Sequence, residues 1–485
     1  MLVLVVAGAA WCYRLLRLQE AAAEQNLFAL VPADCAAVVE TDEALRWLHS
    51  LQQVPYAERW AEWELSDLLR GYFEGLEYLS DRHSHGLSRQ LHRVAVSFHE
   101  PHSPKDQVLY CRLAAGDEGL VEAYLRDRGA DVFPPRQSDY RGETLTIYPL
   151  SATDYLVCFR RPGFLVLSLQ KRLVEQVVDA YLDHASLWDD TYFRSILQRD
   201  KVRTIGSLYV SLASQHIAHW VGFDLRFNPE AVYLAGTNFD PDTCQSFTNA
   251  LLRAPAVPLL SGKEIPRKAY AVAQLPWDAT PWGWGAEPGH AFARYLKEVG
   301  GPSYSVLWFA GRGADSLRHT VFGWDLAPEA VRRWEAEWHR LIVPGSRVSV
   351  RRAGGRRLLV YAVPPLPIAS SAPTGPASAC FYRDRLWVAP SEADLLAYVE
   401  ALERGEVKEG DEAFDACYAG LADESCGLMW AYMDCLDEAE GILRPYVPAF
   451  FRQHAAFFRH FWLVVQFTRS EGVLYPTFTL RERPS

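Results

Sequence analysis

The chain has 485 residues, of which 49% are hydrophobic and 22% charged, with a formal net charge of −11. That length exceeds one ordinary core and predicts two or three domains, and the apolar share is that of a folded globular protein. The acidic balance argues against nucleic-acid binding as the main task, because neutralising phosphates needs a basic face.

Met1 to Tyr13, MLVLVVAGAAWCY, is an apolar run at the N-terminus. A bilayer-spanning helix needs roughly 20 such residues, so the run is short by itself. A signal anchor is the favoured reading, with a cleaved signal peptide and a buried hydrophobic helix as the alternatives. Arg14 and Arg17 on its downstream side weaken the export reading, since positive charge prefers the cytoplasm. Residues 1–26 are therefore expected to form an anchor and neck, attaching the protein to a membrane.

Val31 to Glu40 reads as a proline-broken start followed by a buried strand, and residues 42 to 80 as helix-rich. Arg93 to Phe98 and Gln107 to Leu113 alternate as antiparallel strands do, and Gly116 to Leu125 is helical. Tyr140-Arg141-Gly142-Glu143 turns into a strand over Thr144 to Tyr148. Next comes Cys158 to Tyr181, CFRRPGFLVLSLQKRLVEQVVDAY. Arg161-Pro162-Gly163-Phe164 suits a type II turn, because proline presets φ and glycine accepts a positive one. Ser168 is placed to cap a helix whose apolar stripe is Leu173, Val174, Val177, Val178 and Tyr181.

The same order of elements returns later in the chain. Ile265 to Gln274 parallels Val31 to Glu40, and Leu317 to Leu326 with Pro328 to Leu341 parallels the strand and helix near residues 107–125. Ala353-Gly354-Gly355-Arg356 parallels the Tyr140 turn, and CFYRDRLWVAPSEADLLAYVEAL from Cys380 parallels the hairpin-helix stretch. There Ser391 and Asp394 form a capping box ahead of Leu395, Leu396, Val399 and Leu402. Trp188 to Phe193 matches Glu409 to Phe414, and Gly206 to Val210 matches Gly427 to Ala431. Each half closes on two alternating runs, Trp220 to Phe227 with Ala231 to Asn238, and Phe461 to Arg469 with Val473 to Arg481. The expectation is an α+β fold of two related domains from an internal duplication, 27–253 and 263–485, each an antiparallel sheet covered by helices. Residues 254–262, with Pro255 and Pro258, form the linker between them.

No stretch carries a catalytic or cofactor motif, so no cofactor is expected. The nine cysteines are dispersed with no CxxC, which favours buried thiols over a metal site or disulfide framework. His83, His85, His92, His99 and His102 form the densest histidine group, but no carboxylate or thiolate ligand sits at supporting spacing, so no metal is assigned. Asp189-Asp190 reads as a helix cap. The loop Pro276-Trp277-Asp278-Ala279-Thr280-Pro281-Trp282-Gly283-Trp284 is the most unusual one. Trp277, Trp282 and Trp284 there are candidates for contact with a ligand or partner, although tryptophans more often fill cores and interfaces.

With Val31-Pro32-Ala33-Asp34, the Tyr140-Arg141-Gly142 step and Leu165 to Leu182 in view, the chain resembles an uncharacterised family of bacterial envelope proteins, a domain of unknown function. The resemblance implies a short N-terminal membrane anchor and a large extracytoplasmic part on the periplasmic side. It transfers no catalytic residues. The expected function is a non-enzymatic, membrane-anchored protein that binds a protein partner or serves envelope assembly. The alternative is a glycan- or lipid-binding module using the tryptophan-rich loop or an inter-domain cleft.

Overall fold

The computed structural model describes residues 26–57, 67–82, 89–100, 103, 105–114, 117–128, 134–197, 205–213, 218–238, 246–276, 291–311, 318–366, 376–435 and 455–483. Among these residues twenty strands join in one antiparallel sheet, and more of them are strand than helix. This overturns the expected fold class of two domains that each close their own helix-covered sheet. The reason lies in β10 (Ala231–Asn238), expected as the closing strand of the first domain. It hydrogen-bonds antiparallel to β22 (Val473–Glu482), the last strand of the chain, with Leu234 opposite Phe478. A strand left at a sheet edge presents unpaired backbone N–H and C=O groups, and pairing them extends the sheet.

Two compact units divide the chain, residues 1–215 with 219–229, and 216–218 with 230–485. In the first unit β1 (Ala37–Thr41) lies between β2 (Val94–Phe98) and β8 (Gly206–Leu212). Beyond β2 the order runs through β3 (Gln107–Arg112), β7 (Phe164–Ser168), β6 (Tyr155–Arg161), β5 (Glu143–Pro149) and β4 (Arg136–Tyr140), all antiparallel.

One sheet face buries Leu145, Val157, Phe159 and Val166 against α4 (Lys171–Asp183) through Leu173, Val174, Val177 and Val178. These four are fully buried, contributing about 1.5–3 kcal/mol each. The helix starts two residues later than expected. Ser168 ends β7, donating to the Gln107 carbonyl at 2.7 Å, and Gln170 is the N-cap without a side-chain bond. On the other face Val94, Val96, Leu109 and Leu165 meet α2 (Asp67–Arg82) and α3 (Asp117–Arg128); α1 (Ala44–Gln52) precedes them.

The second unit repeats this order. β12 (Ala269–Pro276) lies between β13 (Gly300–Ala310) and β20 (Gly427–Tyr432). From β13 the sheet continues through β14 (Arg318–Leu326), β18 (Arg385–Ala389), β17 (Ala377–Tyr382), β16 (Arg356–Val363) and β15 (Ser349–Ala353). On the other side β20 pairs with β21 (Phe461–Ser470), which pairs with β22. Residues 300–310, not read as a strand from sequence, are the counterpart of β2.

Here α9 (Glu392–Glu403) covers Leu358, Val360, Cys380 and Trp387, while α7 (Ala291–Val299) and α8 (Pro328–Leu341) cover Trp308, Phe322 and Trp324. Ser391 caps α9 as expected, its hydroxyl oxygen accepting from the Asp394 amide at 3.2 Å.

The hairpins fix a register that the sequence match missed by one residue. Pro162-Gly163 joins β6 to β7 with Arg161 opposite Phe164, whereas Arg383-Asp384 joins β17 to β18 with Tyr382 opposite Arg385. Phe159, not Cys158, is therefore the counterpart of Cys380. Successive side chains alternate between sheet faces, so the slip puts the two cysteines in opposite layers. Cys158 sits in the core with α2 and α3, and Cys380 in the core under α9.

Candidate functional site

The unit-specific chemistry begins at a backbone frame that both units share. In the first, Leu187 N donates to Val31 O at 2.8 Å and Trp188 N to Phe28 O at 3.3 Å. In the second, Lys408 N donates to Ile265 O at 2.9 Å and Glu409 N to Gly262 O at 3.3 Å. Lys408 thus occupies the position of the fully buried Leu187, and is itself only 6% exposed. A buried ammonium needs a partner to offset its lost hydration. Its Nζ donates to Asp411 Oδ2 at 2.7 Å and lies 5.7 Å and 5.4 Å from the ring centroids of Trp430 and Trp462. Burial acts to raise the Asp411 carboxyl, but the Lys408 ammonium outweighs it and holds the group below its usual range. The result is an aromatic box closed on its own cation. Its two charges are spent on one another, so it is a packing device.

Two other polar clusters are similarly internal. Ser97 Oγ lies 2.8 Å from His99 Nε2 and 3.0 Å from the Tyr110 hydroxyl, a hydroxyl–imidazole pairing of the kind used in nucleophilic catalysis. All three are buried. His319 Nδ1 lies 2.7 Å from Asp394 Oδ1, and Ser391 donates to the other carboxylate oxygen at 2.7 Å. That hydroxyl faces the carboxylate and not the imidazole, which is a helix cap and not a catalytic relay.

An apolar cavity of about 50 Å³ lies under α1 and α2, lined by Val39, Trp47, Tyr72, Phe73, Val96 and Leu109. It is a small apolar packing void with too little room for a drug-sized ligand.

The face of greatest chemical contrast is a hairpin at one end of each unit's strand order. In the second unit Gly354 and Gly355, with φ of +56° and +85°, form a two-residue turn of type I′ joining β15 to β16. The register sets Val350 opposite Leu359 and Arg352 opposite Arg357. Alternation places these four on the face turned away from α9, since the intervening Ala353, Leu358 and Val360 lie in the core under it. Arg351 and Arg356, on the α9 side, pair with Glu392 and Glu403.

All four outward residues are exposed, Val350 at 46% and Leu359 at 50%, and Arg352 and Arg357 have no ion pair among the described residues. Residues 346–360 hold five arginines, at 347, 351, 352, 356 and 357, and no acidic residue.

The corresponding hairpin of the first unit, β4 with β5, carries a different face. Its turn is Arg141-Gly142, with φ of +53° and +83°, and the positions equivalent to those four are Gln137, Asp139, Thr144 and Thr146. Their mix is polar, with one acid. The Arg141 guanidinium is engaged by Asp179 and Asp183 of α4, at 2.7 Å and 2.8 Å.

Of the residues singled out by sequence, Trp277, Trp282 and Trp284 lie outside the described residues, as do His83, His85, His102 and the apolar run 1–13. His92 is half-buried, and burial pulls its imidazole below the usual range. His99 is the buried partner of Ser97. Among the described residues no group of His, Cys, Asp and Glu could hold a metal ion. Asp190 Oδ1 accepts from the Tyr192 and Phe193 amides at 2.8 Å and 3.3 Å, which is the helix cap, at the start of α5 (Thr191–Leu197). Cys35, Cys111, Cys158, Cys380, Cys417 and Cys426 are buried free thiols; burial pushes the Cys158 and Cys380 groups up to about 12 and Cys417 to about 11.

Sequence reasoning missed Lys408 and the 350–359 face. The signal for the latter was present as two arginine pairs, 351–352 and 356–357, with Val350 two residues from Arg352 and Leu359 two from Arg357.

No helix among the described residues is long and apolar enough to cross a membrane. No protein-family model matches the chain, and no curated protein does. Among solved structures, crystal form III of TP0453 is similar to 49% of this chain and 90% of its own, at 9% identity and a TM-score of 0.26. That score carries no argument about fold or role.

Proposed function

We propose that this chain is a non-enzymatic envelope protein that acts by binding, held to a membrane through its N-terminal residues with the sheet units on the periplasmic side. The second unit's β15–β16 hairpin is its contact surface. The observation that supports this is the outward face of that hairpin. At the same place in the same strand order, Gln137, Asp139, Thr144 and Thr146 give way to Val350, Arg352, Arg357 and Leu359. Exposed aliphatics beside unpaired arginines do nothing for the unit's own core, so their value lies in contact with something else.

The test is recovery of partners or lipid from envelope fractions with the full chain and with an Arg352→Glu, Arg357→Glu variant. Loss of recovery at unchanged thermal stability is the expected result. Equal recovery from both proteins would remove the hairpin as the contact surface, and finding the chain wholly in the soluble cytoplasm would remove the envelope placement.

A further inference from the structure

We propose that the outward face of the β15–β16 hairpin docks on an anionic phospholipid bilayer. This rests on the reading above that the hairpin is the contact surface, and it names what is contacted. Val350 and Leu359 face each other across the two strands, and Arg352 and Arg357 do so two residues nearer the turn. That spacing sets the two pairs about 7 Å apart along the strands. Arg347, exposed, precedes β15, so Val350 has arginine on both sides of it in sequence. An apolar centre flanked by guanidinium groups is the chemistry of the bilayer interface. The aliphatics enter the headgroup–acyl boundary, while the planar guanidinium forks hydrogen-bond lipid phosphates.

Three observations select the lipid surface over other occupants. A partner strand adding to the sheet edge would use the backbone of β15. The first unit, however, offers β4 in the same place, paired with β5 alone among the described residues, so the edge does not account for the changed face. A second copy of this chain pairing antiparallel about the middle of β15 would set Arg351 opposite its own equivalent or opposite Arg352, and like charges opposite one another destabilise a ladder.

A globular protein contact centres on Trp, Tyr and Arg anchors, with Leu and Val under-represented. This face has no aromatic residue. The chain's net charge of −11 then becomes an orienting device. An anionic surface repels a protein of net negative charge and attracts this basic edge.

The experiment is co-sedimentation of the full chain with phosphatidylcholine vesicles containing phosphatidylglycerol, and with vesicles of phosphatidylcholine alone. Binding is expected to the anionic vesicles and to fall as salt is raised. Arg352→Gln with Arg357→Gln should weaken partitioning roughly 30-fold, or about 2 kcal/mol, at about 1 kcal/mol per arginine. Val350→Thr with Leu359→Thr, which keeps strand propensity at exposed positions, should weaken it separately. The apolar N-terminal residues are common to all variants, so differences between them read the hairpin alone.

Equal vesicle binding by wild type and both variants, or none by any, overturns the lipid docking. If the variants nonetheless lose envelope partners, the contact surface stands and its partner is a protein. If neither assay separates the variants, both readings fall.

Discussion

The two units build one frame and fill it with opposite chemistry. In the first, Phe28 packs edge-on against Phe193 and Tyr209, with ring centroids 4.9 Å and 5.5 Å apart, and Leu187 is fully buried behind them. Asp190, capping α5, also accepts a hydrogen bond from Trp220 Nε1 at 3.0 Å. In the second, the backbone position of Phe28 belongs to Gly262, where an added Cβ would come within 3.1 Å of the Glu409 amide and 3.2 Å of the Phe414 ring. Trp430 stands for Tyr209 and Lys408 for Leu187. Asp411 caps α10 (Glu412–Tyr418), but its free oxygen takes the lysine instead of an indole, and Trp462 Nε1 is left without a partner. The comparison teaches that a conserved backbone geometry does not fix the polarity of its core. Deleting one large ring makes room for a larger indole and a lysine stem, and the capping carboxylate then decides whether that lysine can be charged.

The largest expected effect comes from exchanging the polarities. Leu187→Lys puts an ammonium where Asp190 is already used by Trp220, and an unpaired buried charge costs about 3–5 kcal/mol. Lys408→Leu removes the cation but leaves Asp411 the Trp462 indole as a substitute, as Asp190 uses Trp220. Its cost should be smaller, about 1.5–3 kcal/mol, the usual worth of a hydrogen bond to a charged group. Chemical denaturation of the two variants, followed by hydrogen exchange in β8 and β20, checks both magnitudes. Similar losses would mean that the frame and not the partner sets the cost.

The same pair gives a pH dependence. The folded-state pKa of Asp411 lies below its ordinary value, so its stabilising contribution is complete above the ordinary carboxylate range. It is lost as pH falls through the depressed value. In Lys408→Leu both contributions of the lysine are gone, and burial, which raises the carboxyl, is opposed only by the cap bonds from the Phe414 and Ala413 amides. The stability gap between wild type and variant should therefore be widest near neutrality and close in acid. A gap independent of pH would show that the ion pair is not the source of the difference.

A smaller contrast lies in the indoles. Trp220→Phe removes a donor to Asp190 and should cost about 1 kcal/mol more than Trp462→Phe, whose indole N–H is unpartnered. Melting temperatures of the two variants measure the difference directly. The smallest effect is a gain. Arg383 and Asp384, at φ of +51° and +63°, hold left-handed backbone with side chains that disfavour it, where the first unit uses Pro162-Gly163. Asp384→Gly should stabilise the second unit by about 0.5–1 kcal/mol, and a lower melting temperature would place a stabilising role on the carboxylate.

By itself the sequence determined the local elements. The α4 and α9 stripes, the Pro162-Gly163 turn with Gly163 at φ of +94°, the Ser391 cap and the closing hairpin of β21 with β22 follow from periods and turn chemistry confined to a few neighbouring residues. The order in which those elements recur was also legible, because a hairpin followed by a helix leaves its pattern in consecutive residues.

Tertiary structure alone decided what each strand lies against. A period of two does not name a partner, so the pairing of β10 with β22 could not be read, and a one-residue slip between copies went unseen until the turns fixed the register. Nor could periodicity tell the buried Lys408 from an exposed one, or show that Val350 and Leu359 face solvent beside Arg352 and Arg357. Burial of a charge depends on which carboxylate and which rings meet it, and exposure of an aliphatic depends on where the helices stop covering the sheet.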